Sequence, residues 1–256
     1  MTEIETTTTT PIQGLSGPSL NIKQFTEIAH RSEAPPKFIV IDGLIGAGKT
    51  TLINLLIGKY TKEGKRVHAI YEPVDVWQQV GALAEFYNDI PAKCYEFQTF
   101  VYITRIQRVL TEVIAHPEAE VYLMERSIFT DRYIFVELLR DLMGPVRMQM
   151  YDTWCNMWSS LLDIKITKWV LLDTSLNESL NRISVRARGE EHGISLDYQT
   201  NLLDKQLQFY KQLKESGEVT CVIPSSMMDA NFREENSEVL DNIAQMIMYD
   251  SNGSHD

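Results

Sequence analysis

A glycine-rich run ending in Lys-Thr, Gly43-Leu44-Ile45-Gly46-Ala47-Gly48-Lys49-Thr50-Thr51, carries the clearest chemistry in this chain. The Gly-x4-Gly-Lys-Thr spacing is that of a phosphate cradle. Glycines admit backbone conformations that side chains obstruct, so successive N–H groups can turn toward phosphate oxygens at a helix N-terminus. Gly43, Gly46, Ala47, Gly48, Lys49, Thr50 and Thr51 are therefore the expected triphosphate-binding residues. Lys49 is placed to reach the β- and γ-phosphates, and the Thr50 hydroxyl to ligate Mg²⁺. A turn that merely caps a helix is the alternative. The apolar strand Phe38-Ile39-Val40-Ile41 before the loop and the helical pattern after it argue against that.

Five further groups of reactive side chains accompany the loop. Glu72 is followed by Pro73, which turns the chain out of a sheet. A carboxylate there could take a proton from an alcohol attacking phosphorus, or could be an idle strand-end acid. Glu125 and Arg126 pair an acid that could hold Mg²⁺, directly or through water, with a base that could neutralise phosphoryl charge; a structural ion pair is the plain alternative. Gln98, Val101, Tyr102 and Arg105 share one helix face, and the Gln98 amide offers both donor and acceptor to a nucleobase edge. Asp131 and Phe135, four apart, suit pairing with Arg105 and stacking on a flat ring. Arg182, Arg186 and Arg188 precede Gly189-Glu190-Glu191-His192-Gly193, the composition of a lid closing on polyphosphate or of a solvated basic face.

Short apolar runs near residues 37–42, 67–71, 120–124, 168–173 and 219–223 alternate with longer amphipathic ones, which predicts an α/β fold with a five-stranded parallel sheet covered by helices on both faces. Helices are expected over 49–63, 77–87, 92–115, 131–143, 146–162, 176–187, 195–215 and 233–248. Parallel strands end on one rim, so Gly43, Glu72, Arg126 and Asp173 should emerge together where ligands of open α/β sheets bind. Residues 1–36, with five consecutive threonines, are expected to be a mobile arm with one weak helical piece near Phe25–His30. Residues 37–249 should form the single domain, and 250–256 a disordered tail.

A net charge of −11 argues against a nucleic-acid groove. Cys94, Cys155 and Cys221 are few, scattered and without metal-ligand spacing, as in a cytoplasmic or other reducing intracellular compartment. No run has the length of a membrane span, so neither membrane nor nucleic acid is expected as a partner.

In their order and spacing these motifs resemble the deoxynucleoside kinases, in particular the deoxycytidine and deoxyguanosine kinase branch. The resemblance rests on Gly43-x4-Gly48-Lys49-Thr50, Glu72-Pro73-Val74 with Trp77, Tyr87 then Phe97-Gln98-Thr99, Glu125-Arg126-Ser127 then Asp131-Arg132-Tyr133, and the lid arginines with Glu190-Glu191. It implies a P-loop kinase fold with an Arg-rich lid, and transfer of the γ-phosphate of ATP or another nucleoside triphosphate, with Mg²⁺, to the 5′-hydroxyl of a deoxynucleoside in nucleotide salvage. Glu72 would then be the base, with Arg126 at the 5′-oxygen. Tyr87 and Glu191 would hold the sugar 3′-hydroxyl, Gln98 would read the base, and Trp77, Leu83 and Phe135 would wall its pocket. It also implies a homodimer joined through helices. Arg105 with Asp131 resembles the deoxycytidine and deoxyguanosine branch, whereas Val101 resembles thymidine-accepting members. Deoxycytidine, deoxyadenosine or deoxyguanosine are expected to outrank thymidine. Two rival readings remain: a nucleoside monophosphate kinase, and a regulatory protein that binds nucleotide without transferring phosphate.

Overall fold

The computed structural model describes residues 21–186, 189–190, 194–227 and 238–249. Five strands, β1 (Lys37–Gly43), β2 (Val67–Ile70), β3 (Val121–Glu125), β4 (Ile166–Asp173) and β5 (Thr220–Pro224), form one all-parallel sheet in the order β2-β3-β1-β4-β5. β1 is central, and six of its seven residues are buried, as expected of a strand covered on both faces. Register sets the active rim: Ile41 lies beside Glu125 of β3, and Gly43 beside Leu172 of β4. The sequence places all five strands within two residues of where they occur.

The helices follow expectation where the apolar pattern is long, as in α2 (Lys49–Lys62), α5 (Ile90–Ala115), α8 (Leu176–Arg186) and α9 (Leu196–Glu215). Elsewhere backbone chemistry intervenes. The single helix expected over 77–87 is two, α3 (Val74–Gln79) and α4 (Ala82–Asn88), because Gly81 takes a left-handed φ of 75° and starts α4 anew. The helix expected over 131–143 is instead a short turn α6 (Ile128–Thr130), a π-helical turn (Asp131–Val136), and the start of α7 (Arg140–Leu162). Ser127 and Thr130 close a reciprocal capping box at the entry to α6. Gly144 and Pro145 kink α7, so the helix expected from 146 continues one that starts before the kink. α10 (Glu238–Met248) is observed, while residues 228–237 lie outside the described ones.

The arm expected over 1–36 is corrected for its second half. α1 (Ile22–Ala29) is capped by Asn21, whose side chain accepts from the Gln24 N–H at 3.2 Å, and it packs against α5 and α7. Phe25 is fully buried in the shared core, a contribution of about 1.5–3 kcal/mol. Arg31 then ties the following turn down by donating to the Pro117 and Ala119 carbonyls, both at 3.0 Å. Residues 1–20 and 250–256 lie outside the described ones.

Candidate active site

The phosphate loop leaves β1 at Gly43 and enters α2 at Lys49. Gly48 caps that helix with φ 96°, a conformation that side chains rarely adopt. A Cβ on Gly46 would stand 2.7 Å from the Ser179 carbonyl oxygen, so only glycine lets the loop pass this close to α8. Lys49 Nζ donates to the Leu44 carbonyl at 3.0 Å and more weakly to that of Gly43 at 3.4 Å. Burial, reinforced by the nearby Arg126 guanidinium, brings its ammonium down to a pKa of about 8; the surrounding carboxylates oppose the shift without cancelling it. Thr50 Oγ1 donates to Glu125 Oε1 at 2.8 Å, bringing two hard oxygen donors together at the helix entrance.

Beyond the loop opens a cavity of about 320 Å³ on the C-terminal rim of the sheet. Gly46, Lys49, Thr50, Glu72, Glu125, Arg126, Asp131 and Arg186 are among its polar lining. Trp77, Leu83, Tyr87, Gln98, Val101 and Phe135 line it as well, together with Phe86, Phe97 and Tyr198. Rings fix this wall: Phe86 stacks on Phe97 with centroids 4.5 Å apart, and the Trp77 indole N–H donates to Thr104 Oγ1 at 2.8 Å. Gln98 is 2 % exposed, and its Oε1 is buried without a hydrogen-bond partner. A bare buried amide oxygen costs about 1–3 kcal/mol, so this wall is built to receive a donor from outside the protein.

Arg105 lies behind the wall rather than on it. It is the hub of the charged network: Nε and Nη2 donate to the two Asp131 oxygens at 2.6 and 2.9 Å, Nη2 also to Glu72 Oε1 at 2.8 Å, and Nη1 to the Glu125 carbonyl at 3.0 Å. Burial pushes the Asp131 carboxyl up against the pull of Arg105. Burial also raises that of Glu72, but Arg126, Arg105 and Lys49 together outweigh it and hold the carboxyl below its ordinary value. Arg126 lies 3.5 Å from Glu72 and 4.7 Å over the Phe135 ring. Its backbone is left-handed, with φ 64°, and its N–H donates to the Ile41 carbonyl at 3.1 Å. For a non-glycine residue this conformation costs about 1–3 kcal/mol, and strain of that kind gathers at functional sites.

Of the other expected residues, Gly43, Ala47 and Gly48 shape the loop beneath the cavity, and Thr51 is exposed on the first turn of α2 away from the cavity lining. Arg182 Nη1 donates to the Ala47 carbonyl at 2.8 Å, so it braces the loop, and its other amino group pairs with Glu178. Arg188 and Glu191 lie outside the described residues, whereas their neighbour Glu190 accepts from Gln78 at 3.3 Å. Two groups escaped the sequence reading. Asp42, fully buried one residue before the loop, accepts from Thr130 at 3.1 Å and Tyr210 at 3.2 Å and stands 4.0 Å from Arg126. An acid inside an otherwise apolar strand was the available signal. Tyr198 reaches the cavity from α9, with no local pattern to announce it.

The deoxynucleoside kinase family model matches residues 39–248, a span that takes in the loop, the cavity wall and the helices behind them. This chain belongs to the deoxynucleoside kinase family. It is 31 % identical over 218 residues to a probable deoxycytidine kinase of fowlpox virus, covering 82 % of this chain and 88 % of that one. It is 26 % identical over 240 residues to mouse deoxycytidine kinase, covering 82 % and 91 %, and 26 % identical over 205 residues to a mitochondrial deoxyguanosine kinase of Xenopus laevis, covering 70 % and 75 %. The kinase has the P-loop kinase fold that its parallel sheet and loop describe. Among its described residues no helix is long and apolar enough to cross a membrane.

Proposed function

We propose that this kinase transfers the γ-phosphate of a nucleoside triphosphate, ATP included, to the 5′-hydroxyl of deoxycytidine, deoxyadenosine or deoxyguanosine in preference to thymidine, a nucleotide-salvage reaction. The observation that carries the reading is one cavity lined by the Lys49 phosphate cradle, an ionised Glu72, aromatic side chains and the buried, unpartnered Gln98 amide oxygen. Glu72 accepts the 5′-hydroxyl proton as that oxygen attacks phosphorus. Arg126 and Lys49, fixed beforehand by their neighbours, face the charge that develops on the transferred phosphoryl group and need no reorganisation to meet it. Gln98 and Asp131 take the base edge, Tyr87 the sugar, and Trp77, Leu83 and Phe135 exclude water around the ring. Arg186 closes on the phosphates from the lid side, joined by Arg188, with Glu191 at the 3′-hydroxyl.

Thr50 and Glu125 fit Mg²⁺, because their oxygens meet at 2.8 Å beside the helix N-terminus where the β- and γ-phosphates would lie. Mg²⁺ held there would neutralise the triphosphate. A coupled assay of ADP release, run with each deoxynucleoside and each deoxynucleoside monophosphate, tests the assignment. Turnover only with monophosphates would make the protein a nucleoside monophosphate kinase, and no turnover with either would leave a nucleotide-binding regulator.

The lowered pKa of Lys49 gives a pH prediction. The protonated ammonium is the form that attracts phosphate, and in the ligand-free enzyme it loses its proton near pH 8 rather than near its ordinary 10.5. Donor affinity should therefore be level below pH 7 and weaken as pH rises through about 8, measured by nucleotide titration at fixed ionic strength. Affinity unchanged to pH 9.5 would mean that phosphate binding does not depend on this charge.

A homodimer is part of the same reading. Val146, Met150, Met157 and Leu161 are exposed along α7, and Ile103 is exposed on α5 beside it. An apolar stripe of this kind on a folded chain marks a protein contact. Val146→Glu, which introduces a charge at a position 71 % exposed in one chain, should shift the sedimenting species from dimer to monomer without unfolding it.

A further inference from the structure

Two histidines and a glutamate meet at the end of the molecule away from the catalytic cavity. His68 sits near the start of the edge strand β2, while Glu112 and His116 close α5 one helical turn apart. Along that helix His116 is about 27 Å from Gln98. His68 Nε2 lies 3.0 Å and His116 Nε2 3.9 Å from the same oxygen, Glu112 Oε2, and the three ligand atoms all fall within 4.8 Å of one another. Tetrahedral zinc, with bonds of about 2.0–2.1 Å, separates its ligand atoms by about 3.4 Å, so the spacing already brackets that of a metal site. The imidazoles stack with centroids 3.7 Å apart and planes 22° apart, so the rings must unstack for both nitrogens to face one ion.

The surroundings are those of ligands rather than of an incidental ion pair. His116 Nδ1 lies 3.7 Å from Glu118 Oε1, near enough for a side-chain rotation to close the carboxylate–histidine hydrogen bond that orients metal-binding imidazoles. The other oxygen of Glu112 faces Arg108 at 3.8 Å, which leaves Oε2 to the histidines. Tyr122 anchors this end of α5 by donating to the His116 carbonyl at 2.7 Å. All three ligand residues are partly exposed, so an ion has an entry path.

We propose that His68, Glu112 and His116 form a binding site for a divalent transition metal of the zinc class, completed by water and clasping strand β2 to the end of α5. Imidazole nitrogen with one carboxylate selects such ions over Mg²⁺, so the site is chemically distinct from the phosphate cradle.

The test is a titration of the tag-free, full-length protein with Co²⁺, read by its visible absorption and followed by displacement with Zn²⁺ and with Mg²⁺. One equivalent should bind with the strong absorption of four- or five-coordinate cobalt, yield to Zn²⁺ and resist Mg²⁺. His68→Gln and His116→Gln should each weaken binding by at least about tenfold, whereas His30→Gln should not. Glu118→Gln, which keeps all three ligands, should weaken it several-fold. Absence of saturable binding, binding unchanged in His68→Gln and His116→Gln, or thiolate-to-cobalt absorption from a cysteine would each overturn the proposal.

Discussion

Glu72→Gln should lower kcat by about 10²-fold or more while leaving donor affinity near that of the parent enzyme. The amide keeps the size of the carboxyl and one oxygen able to accept from Arg105 Nη2, which now donates at 2.8 Å, so the network keeps its shape while the proton acceptor is lost. Lys49→Ala should behave differently, damaging nucleotide binding and rate together, because its side chain belongs to the cradle. The pH profile supplies a second readout. Because Glu72 titrates below its ordinary value, the wild-type rate should hold through the mildly acidic range and fall only as pH drops past the usual carboxylate pKa. Steady-state kinetics with direct nucleotide titration decide the matter, and a Glu72→Gln enzyme with near-normal kcat would remove this residue from the proton-transfer role.

Breaking the Arg105–Asp131 pair should be the most destabilising single change in the site. Both side chains are almost wholly buried and joined by two hydrogen bonds, so Asp131→Ala leaves the guanidinium with Glu72 as its one close carboxylate and should cost up to about 3 kcal/mol, visible in urea denaturation. The double change Arg105→Met with Asp131→Ala removes both charges and should recover a large part of that loss. The same double variant should raise thymidine kcat/KM relative to the amino-bearing bases. Ionised Asp131 can only accept hydrogen bonds, and thymine places a carbonyl and a methyl group where cytosine and adenine carry an exocyclic amine. Four of the five Arg105 donors are already engaged, so discrimination falls on Asp131 and Gln98 more than on Arg105. If wild-type enzyme phosphorylates thymidine best, this account of the pocket fails while the family assignment stands.

The sequence was most legible where local pattern and chemistry coincide. The cradle, the buried strands and the long helices each follow from a few consecutive residues, and the strand ends placed Gly43, Glu72 and Arg126 on one rim. What was missed depends on distant partners. Phe25 lies in an eight-residue helix too short to look stable alone, and only the surface offered by α5 and α7 makes it part of the core. The π turn at Asp131–Val136 cannot be told from an α-helix by periodicity over six residues. Asp42 was read as the last residue of a strand, yet its burial makes sense only once Thr130, Tyr210 and Arg126 close around it. Arg105 was grouped with Gln98 on one helix face and paired with Asp131. Its further bonds to Glu72 and to the Glu125 carbonyl make it a brace behind the wall.

The carbonyls of the phosphate loop are held by α8 and α9. Ser179 of α8 donates to the Ile45 carbonyl at 2.6 Å, Gln199 of α9 donates to the same oxygen at 2.9 Å and to Ser179 Oγ at 2.7 Å, and Arg182 holds the Ala47 carbonyl. A triphosphate that settles the loop would therefore also bear on α8 and α9, which contribute Arg186 and Tyr198 to the cavity lining. The two substrates do not bind independently in such an arrangement. Any free energy by which the donor favours the acceptor must be returned in equal measure by the acceptor to the donor, so the affinity of either, measured with and without a non-reacting analogue of the other, should change by the same factor.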